Sequence, residues 1–193
     1  MGLDIYFEKR KRDFDFSGID KLRKQRKEID KQISDIIGSH DGSTIYNVVW
    51  KLINGEDVRN EPIATVELAQ QIVPLQKEYE RIENEIDEAN PRKQVAYFRK
   101  VNLLMVFFHY DGNCEYRQIS REQVEDLVDR CKQVLANHDL AEELLPTTSG
   151  FFFGSTDYDE WYYRDVESVR DTFESILSET DWGTEVVEMY CWW

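Results

Sequence analysis

Cysteine is scarce in this 193-residue chain: Cys114, Cys131 and Cys191 are odd in number and form no CxxC pair. That pattern speaks against a disulfide framework and makes a reducing cytoplasm the default location. Long apolar runs are absent as well. The longest, Val101 to Phe108, is far short of a membrane span and is broken by Asn102, so no membrane partner is expected. The start, "MGLDIYFEKRKR", lacks the form of a signal peptide, because its basic residues follow a short apolar stretch instead of preceding a long one. No Walker loop, GxGxxG or GxSxG motif occurs. Basic charge is the minority, 24 Lys and Arg against 39 Asp and Glu, for a formal net charge of −15. Nucleic-acid binding draws on basic surfaces that release counterions, so this balance argues against nucleic acid and favours cationic partners.

What is present is unevenly placed. Residues 1–31 carry ten Lys or Arg against seven acids, and the remainder is strongly acidic. "GLDIYFE" alternates, with Leu3, Ile5 and Phe7 on one face and Asp4, Tyr6 and Glu8 on the other, which predicts a strand with one apolar side. "SGIDKLRKQRKEIDKQISDIIG" predicts a helix capped by Ser17 and ended by Gly38, and "TIYNVVWKLINGED" a shorter one ended by Gly55. From Thr65 to Ala89, Leu68, Ile72, Leu75, Tyr79, Ile82 and Ile86 keep the seam spacing of a two-helix coil, with Pro74 marking a kink or a fresh start. The basic first helix and the acidic "EYERIENEIDE" would neutralise each other if packed antiparallel. Residues 13–90 are therefore expected to be an inserted, coiled-coil-like helical arm, with residues 1–12 and 91–193 forming the core domain.

"NPRKQVAYFRKVNLLMVFFHY" is apolar on nearly every side and predicts a buried central helix, with Arg99, Asn102 and His109 on one stripe. "SREQVEDLVDRCKQVLANHD" predicts a helix opened by a Ser120–Gln123 capping box, with Cys131 in its buried stripe. "GFFFGS" reads as a short buried strand, followed by a helix capped at Thr156 or Asp157. Along that helix Tyr158, Tyr162, Val166, Val169, Phe173 and Ile176 keep helical spacing, leaving Trp161 and Tyr163 on its flanks. "TEVVEMYCWW" predicts a last strand. The fold class is thus α+β: a small, mostly antiparallel sheet from segments near 2–8, 114–119, 151–155 and 184–192, with helices packed against it.

With "MGLDIY", "VAYFRKVN", "LLPTTSGFFFGSTDYDEWYYRD" and "YCWW" in view, the chain resembles a family of small phage, prophage and mobile-element proteins. These open with a GLDMY-like strand and carry AYWRKxN and GFFFGSTDYDEWY segments. The likeness covers roughly residues 1–8 and 91–193 and implies ancestry and fold, not chemistry. It maps Asp4 and Tyr6 to the first motif, Tyr97, Arg99, Lys100 and Asn102 to the second, and Gly150, Gly154, Ser155, Thr156 and Asp157 to the third. The segment 13–90 lies outside the family pattern, and "YCWW" departs from its polar closing pair.

Catalytic patterns fare poorly. His109, Cys114, Cys131 and His138 match no zinc spacing, and no nucleophile–base pair stands out. Asp157, Asp159 and Glu160 are accounted for by capping a helix start. No cofactor and no catalytic or metal residue is assigned. What survives is a ligand-binding constellation: Asp4 and Tyr6 on the first strand, Tyr97, Arg99, Lys100 and Asn102 on the central segment, and Ser155, Thr156 and Asp157 at a strand-to-helix junction. If these converge, cationic donors, hydroxyls and ring walls would suit a small anionic or nucleotide-like molecule. The competing expectation is that Asp4 pairs with Arg99 as a buried ion pair and nothing binds. The leading functional expectation is a non-catalytic binding protein for such a ligand. The alternative is an interaction module engaging a host protein through the acidic surface and the arm.

Overall fold

The computed structural model describes residues 2–193. In chain order its elements are β1 (Asp4–Lys11), α1 (Ser17–Ile37), α2 (Gly42–Ile53), α3 (Ile63–Ala89), β2 (Lys93–Arg99) and α4 (Leu103–Phe107). There follow β3 (Tyr116–Ile119), α5 (Arg121–Ala136), a 3₁₀ turn (His138–Leu140), α6 (Ala141–Leu144), α7 (Glu160–Glu179) and β4 (Glu185–Trp192). The chain divides into two compact units, residues 1–14 with 91–193, and residues 15–90.

The first unit is α+β. Its sheet has the order β2-β1-β4-β3, and every neighbouring pair is antiparallel. The alternation of β1 works as its sequence dictates: Leu3, Ile5 and Phe7 are fully buried, and Ala96, Phe98, Val187, Met189 and Cys191 join them on the same side. Phe7 sits at the centre, its ring 4.8 Å from Phe173 of α7 in an edge-to-face pair and 5.7 Å from Phe108. Full burial of each such side chain contributes roughly 1.5–3 kcal/mol, so this layer dominates the unit. α5 packs beside α7. It opens with the expected Ser120–Gln123 capping box and buries Val124, Leu127, Val128, Cys131 and Val134. Burial pushes the Cys131 thiol up to about 12, as befits a packing residue.

The second unit packs α3 against both α1 and α2. Ile29 and Ile33 of α1, Val48 and Val49 of α2, and Ile72, Ile82 and Ile86 of α3 are buried. Arg26 bonds Glu83 at 2.5 Å, while Asp30, one turn further along α1, acts on Tyr79, one turn back along α3. α1 and α3 are therefore antiparallel, with basic and acidic faces meeting at this pair. α3 runs through Pro74 without a fresh start.

Four local expectations are corrected. Residues 91–109 are not one helix: β2 occupies Lys93–Arg99 and only Leu103–Phe107 is helical. "GFFFGS" is not a strand but a turn closed by Phe153 N–H donating to the Gly150 carbonyl at 3.1 Å, with Phe151 95% exposed. A side chain at Gly150 would collide with the Phe153 ring at 2.7 Å, so the glycine permits the turn. α7 begins at Glu160, capped by Asp159, which accepts from Trp161 and Tyr162 N–H at 3.0 Å each, and not by Thr156 or Asp157. α1 takes no side-chain cap from Ser17; Asp15 accepts from the Ser17 N–H at 2.9 Å instead.

Candidate functional site

The site forms where β2 ends. Arg99 is the last strand residue, and Lys100 then adopts a left-handed backbone with φ 62°. Its N–H donates to the Leu3 carbonyl at 2.8 Å, so the turn is locked to the start of β1. Left-handed lysine is uncommon and costs energy, a feature that often marks functional loops. Facing it is Gly154 with φ 93°; a Cβ there would sit 3.1 Å from the Lys100 Cβ and 3.4 Å from its carbonyl oxygen. Two left-handed residues in contact thus fix the 147–159 loop against the end of the sheet.

Asn102 completes the lock. It is 3% exposed and spends its amide on the loop backbone: Nδ2 donates to the Phe153 carbonyl at 3.1 Å and the Ser155 carbonyl at 2.9 Å. Its Oδ1 accepts from Thr148 N–H at 3.2 Å. A buried amide with its donors and acceptor satisfied is a positioning group.

Between this turn, the loop and the first turns of α7 lies a cavity of about 300 Å³ lined in part by Arg99, Lys100, Asn102, Ser155 and Asp157. Five of the nine residues singled out from the sequence therefore meet in one place. Thr156 lies beside it with its carbonyl accepting from Thr147 Oγ1 at 3.0 Å. Asp4, Tyr6 and Tyr97 lie elsewhere, on the opposite face of the sheet from the hydrophobic core. Asp4 accepts from the Tyr97 hydroxyl and reaches Arg99 at 4.0 Å. That contact is no buried ion pair, because the Arg99 side chain is 59% exposed. Lys100 forms no ion pair among the described residues.

The expected positive helix end is not what the junction offers. The first α7 amides are occupied by Asp159, and the Ser155 hydroxyl is committed to Asp157, donating to its Oδ2 at 3.1 Å and accepting its N–H at 3.0 Å. Three residues that went unassigned also line the cavity: Asp159, Trp161 and Asp165. Trp161 is 69% exposed. Asp165 is raised above the ordinary carboxylate range by its burial and by the charge of Asp159. Trp161 and Asp165 stand four residues apart, on one helix face, and that spacing was available in the sequence. The site therefore has two ends, a guanidinium and an ammonium at one and carboxylates beside an indole at the other. Comparison with protein-family models, curated proteins and solved structures finds no match, so the site is interpreted from its own residues.

Proposed function

We propose that the chain is a non-catalytic binding protein for a small, nucleotide-like molecule. Arg99 and Lys100 would take the anionic group, Trp161 would stack on a ring, and Asp159 and Asp165 would accept from an N–H edge of that ring. The observation that carries this reading is the pair of cations at the end of β2, held open by Asn102 and Gly154 and not consumed by a close ion pair. The cavity lies at the lower end of the size range for small-molecule sites, which suits one nucleotide rather than a larger cofactor. The phage-like sequence motifs fit a role in sequestering a signalling nucleotide during host–phage conflict.

Titration calorimetry against a panel of nucleoside monophosphates and cyclic nucleotides tests the proposal. Binding should weaken about tenfold or more in Arg99→Ala, the loss of a charge-assisted contact. Absence of heat for every member of the panel ends this reading. The second reading, an interaction module engaging a host protein, is favoured by the net charge of −15. A pull-down whose catch is unchanged when the exposed Asp87 and Glu88 of α3 are neutralised would count against it.

A further inference from the structure

The face of the sheet turned away from the core is built of rings and carboxylates. Tyr97, Tyr6, Tyr190 and Tyr116 lie in one register row across all four strands. Their ring centroids are 5.1, 6.1 and 4.9 Å apart in that order. The row above holds Arg99, Asp4 and Trp192, and the row below includes Glu8 directly opposite Glu188. Tyr97, Tyr116 and Trp192 are exposed. A groove of about 420 Å³ is lined by Tyr6, Glu8, Cys114, Tyr116, Tyr190 and Trp192.

Two adjacent glutamates on this face are treated differently. Glu188 is bonded by Arg10 at 2.7 Å and by Arg92 at 2.8 Å, and the Arg92 guanidinium also lies 3.9 Å over the Tyr116 ring. Glu8 forms no ion pair among the described residues; its carboxylate takes a hydrogen bond from the Tyr116 hydroxyl, but Oε2 is buried without a partner. Like charges directly opposite each other destabilise a sheet, and an unsatisfied buried carboxylate oxygen adds to that. Glu188 thus has two cations, one of them resting on a tyrosine face, whereas Glu8, which lines the same groove as the Tyr6 and Tyr190 rings, has none among the described residues. Burial raises the Tyr116 and Tyr190 hydroxyls, so both rings stay neutral and keep their negative faces.

We propose that this groove docks a cationic side chain of a basic peptide segment in a partner protein, with an arginine or lysine seated over Tyr6 and Tyr190 and bonded to Glu8. The acidic chain would steer such a segment in, and the ring row would select a guanidinium or ammonium over other groups.

The test is fluorescence anisotropy of a labelled octa-arginine peptide with the full chain at two salt concentrations. Glu8→Gln and Tyr190→Leu should each weaken binding about tenfold, and Tyr6→Phe should stay within about twofold, because the ring face and not its hydroxyl carries the contact. Neutralising the exposed Glu142 and Glu143 serves as the control and should change little. An equal loss in control and site variants would reduce the effect to diffuse charge and overturn the proposal. Absence of binding, or a concentration-dependent dimer that Tyr190→Leu converts to monomer, would overturn it too, the latter by assigning the face to a second copy. Far-UV circular dichroism of each variant separates loss of the groove from loss of the fold, and Glu8→Gln is close to isosteric.

Discussion

The two faces of one sheet use their rings in opposite ways. On the inner face Phe7, Phe98 and Phe173 interlock at centroid distances of 4.8 to 6.1 Å with no polar group among them. On the outer face the rings are four tyrosines in one row and Trp192 beside it, and that row is bordered by Asp4 on one side and by Glu8 and Glu188 on the other. The first arrangement stabilises by excluding water; the second leaves polar edges to be satisfied by something else. Truncation separates them most sharply. Phe173→Ala should cost about 3–5 kcal/mol, read as a lowered urea midpoint with unchanged slope. Tyr6→Phe should cost well under about 1 kcal/mol, since the packing volume is kept. If Tyr6→Phe destabilises as Phe173→Ala does, the outer face is a second core and the contrast fails.

That contrast also explains what could be read in advance. β1 and the α5 and α7 stripes were legible because one side of each is apolar and the other is charged. β2 was not. Its outward residues are Gln94, Tyr97 and Arg99, but a β-bulge opposite Phe7 and Glu8 leaves both Val95 and Ala96 on the core side with Phe98. The two-residue alternation is therefore broken, and the run passes for an all-round hydrophobic helix. The "GFFFGS" turn was hidden for a related reason. A run of Phe between glycines fits a buried strand as well as a turn, and only the contacts of Gly150 and Gly154 decide between them. Convergence of Arg99, Lys100, Asn102, Ser155 and Asp157 was visible as a motif, although the route differed: a strand end and a saturated asparagine replace the helix stripe. Asp159, Trp161 and Asp165 were missed because the helix cap was placed at Thr156 or Asp157, two or three residues before the observed Asp159.

Among the acids the same opposition holds between Glu188 and Asp165. Burial would raise Glu188, but hydrogen bonds and charge from Arg10 and Arg92 outweigh it and hold the carboxyl below its ordinary value of 4.5. A lowered folded value means stabilisation that is present above the unfolded pKa and lost as pH falls through the folded one. Glu188→Gln should therefore cost about 2–3 kcal/mol at neutral pH, the size of charged hydrogen bonds lost in a buried setting. The gap to the parent protein should close as the medium is acidified below about pH 4.5, measured by urea unfolding across that range. A gap that stays constant with pH would mean that the two arginines do not depend on the charge of Glu188.

Asp165 runs the other way, and more weakly. Burial and the neighbouring Asp159 disfavour its ionised form, so its folded value lies above the unfolded one. The linked stabilisation is complete below the unfolded value, near the ordinary 3.8, and is lost as pH rises through the raised folded value. Asp165→Asn removes that loss while keeping the shape of the side chain. The variant should be more stable than the parent at neutral pH by a fraction of a kcal/mol, with the advantage vanishing in acid. In the same variant the proposed nucleotide should bind less well, because an N–H edge loses a charged acceptor and keeps only an amide oxygen. A gain in stability together with a loss of binding is the pattern of a group held at a cost for a ligand; a gain in stability with binding unchanged would leave Asp165 outside the recognition and confine it to Arg99, Lys100 and Trp161.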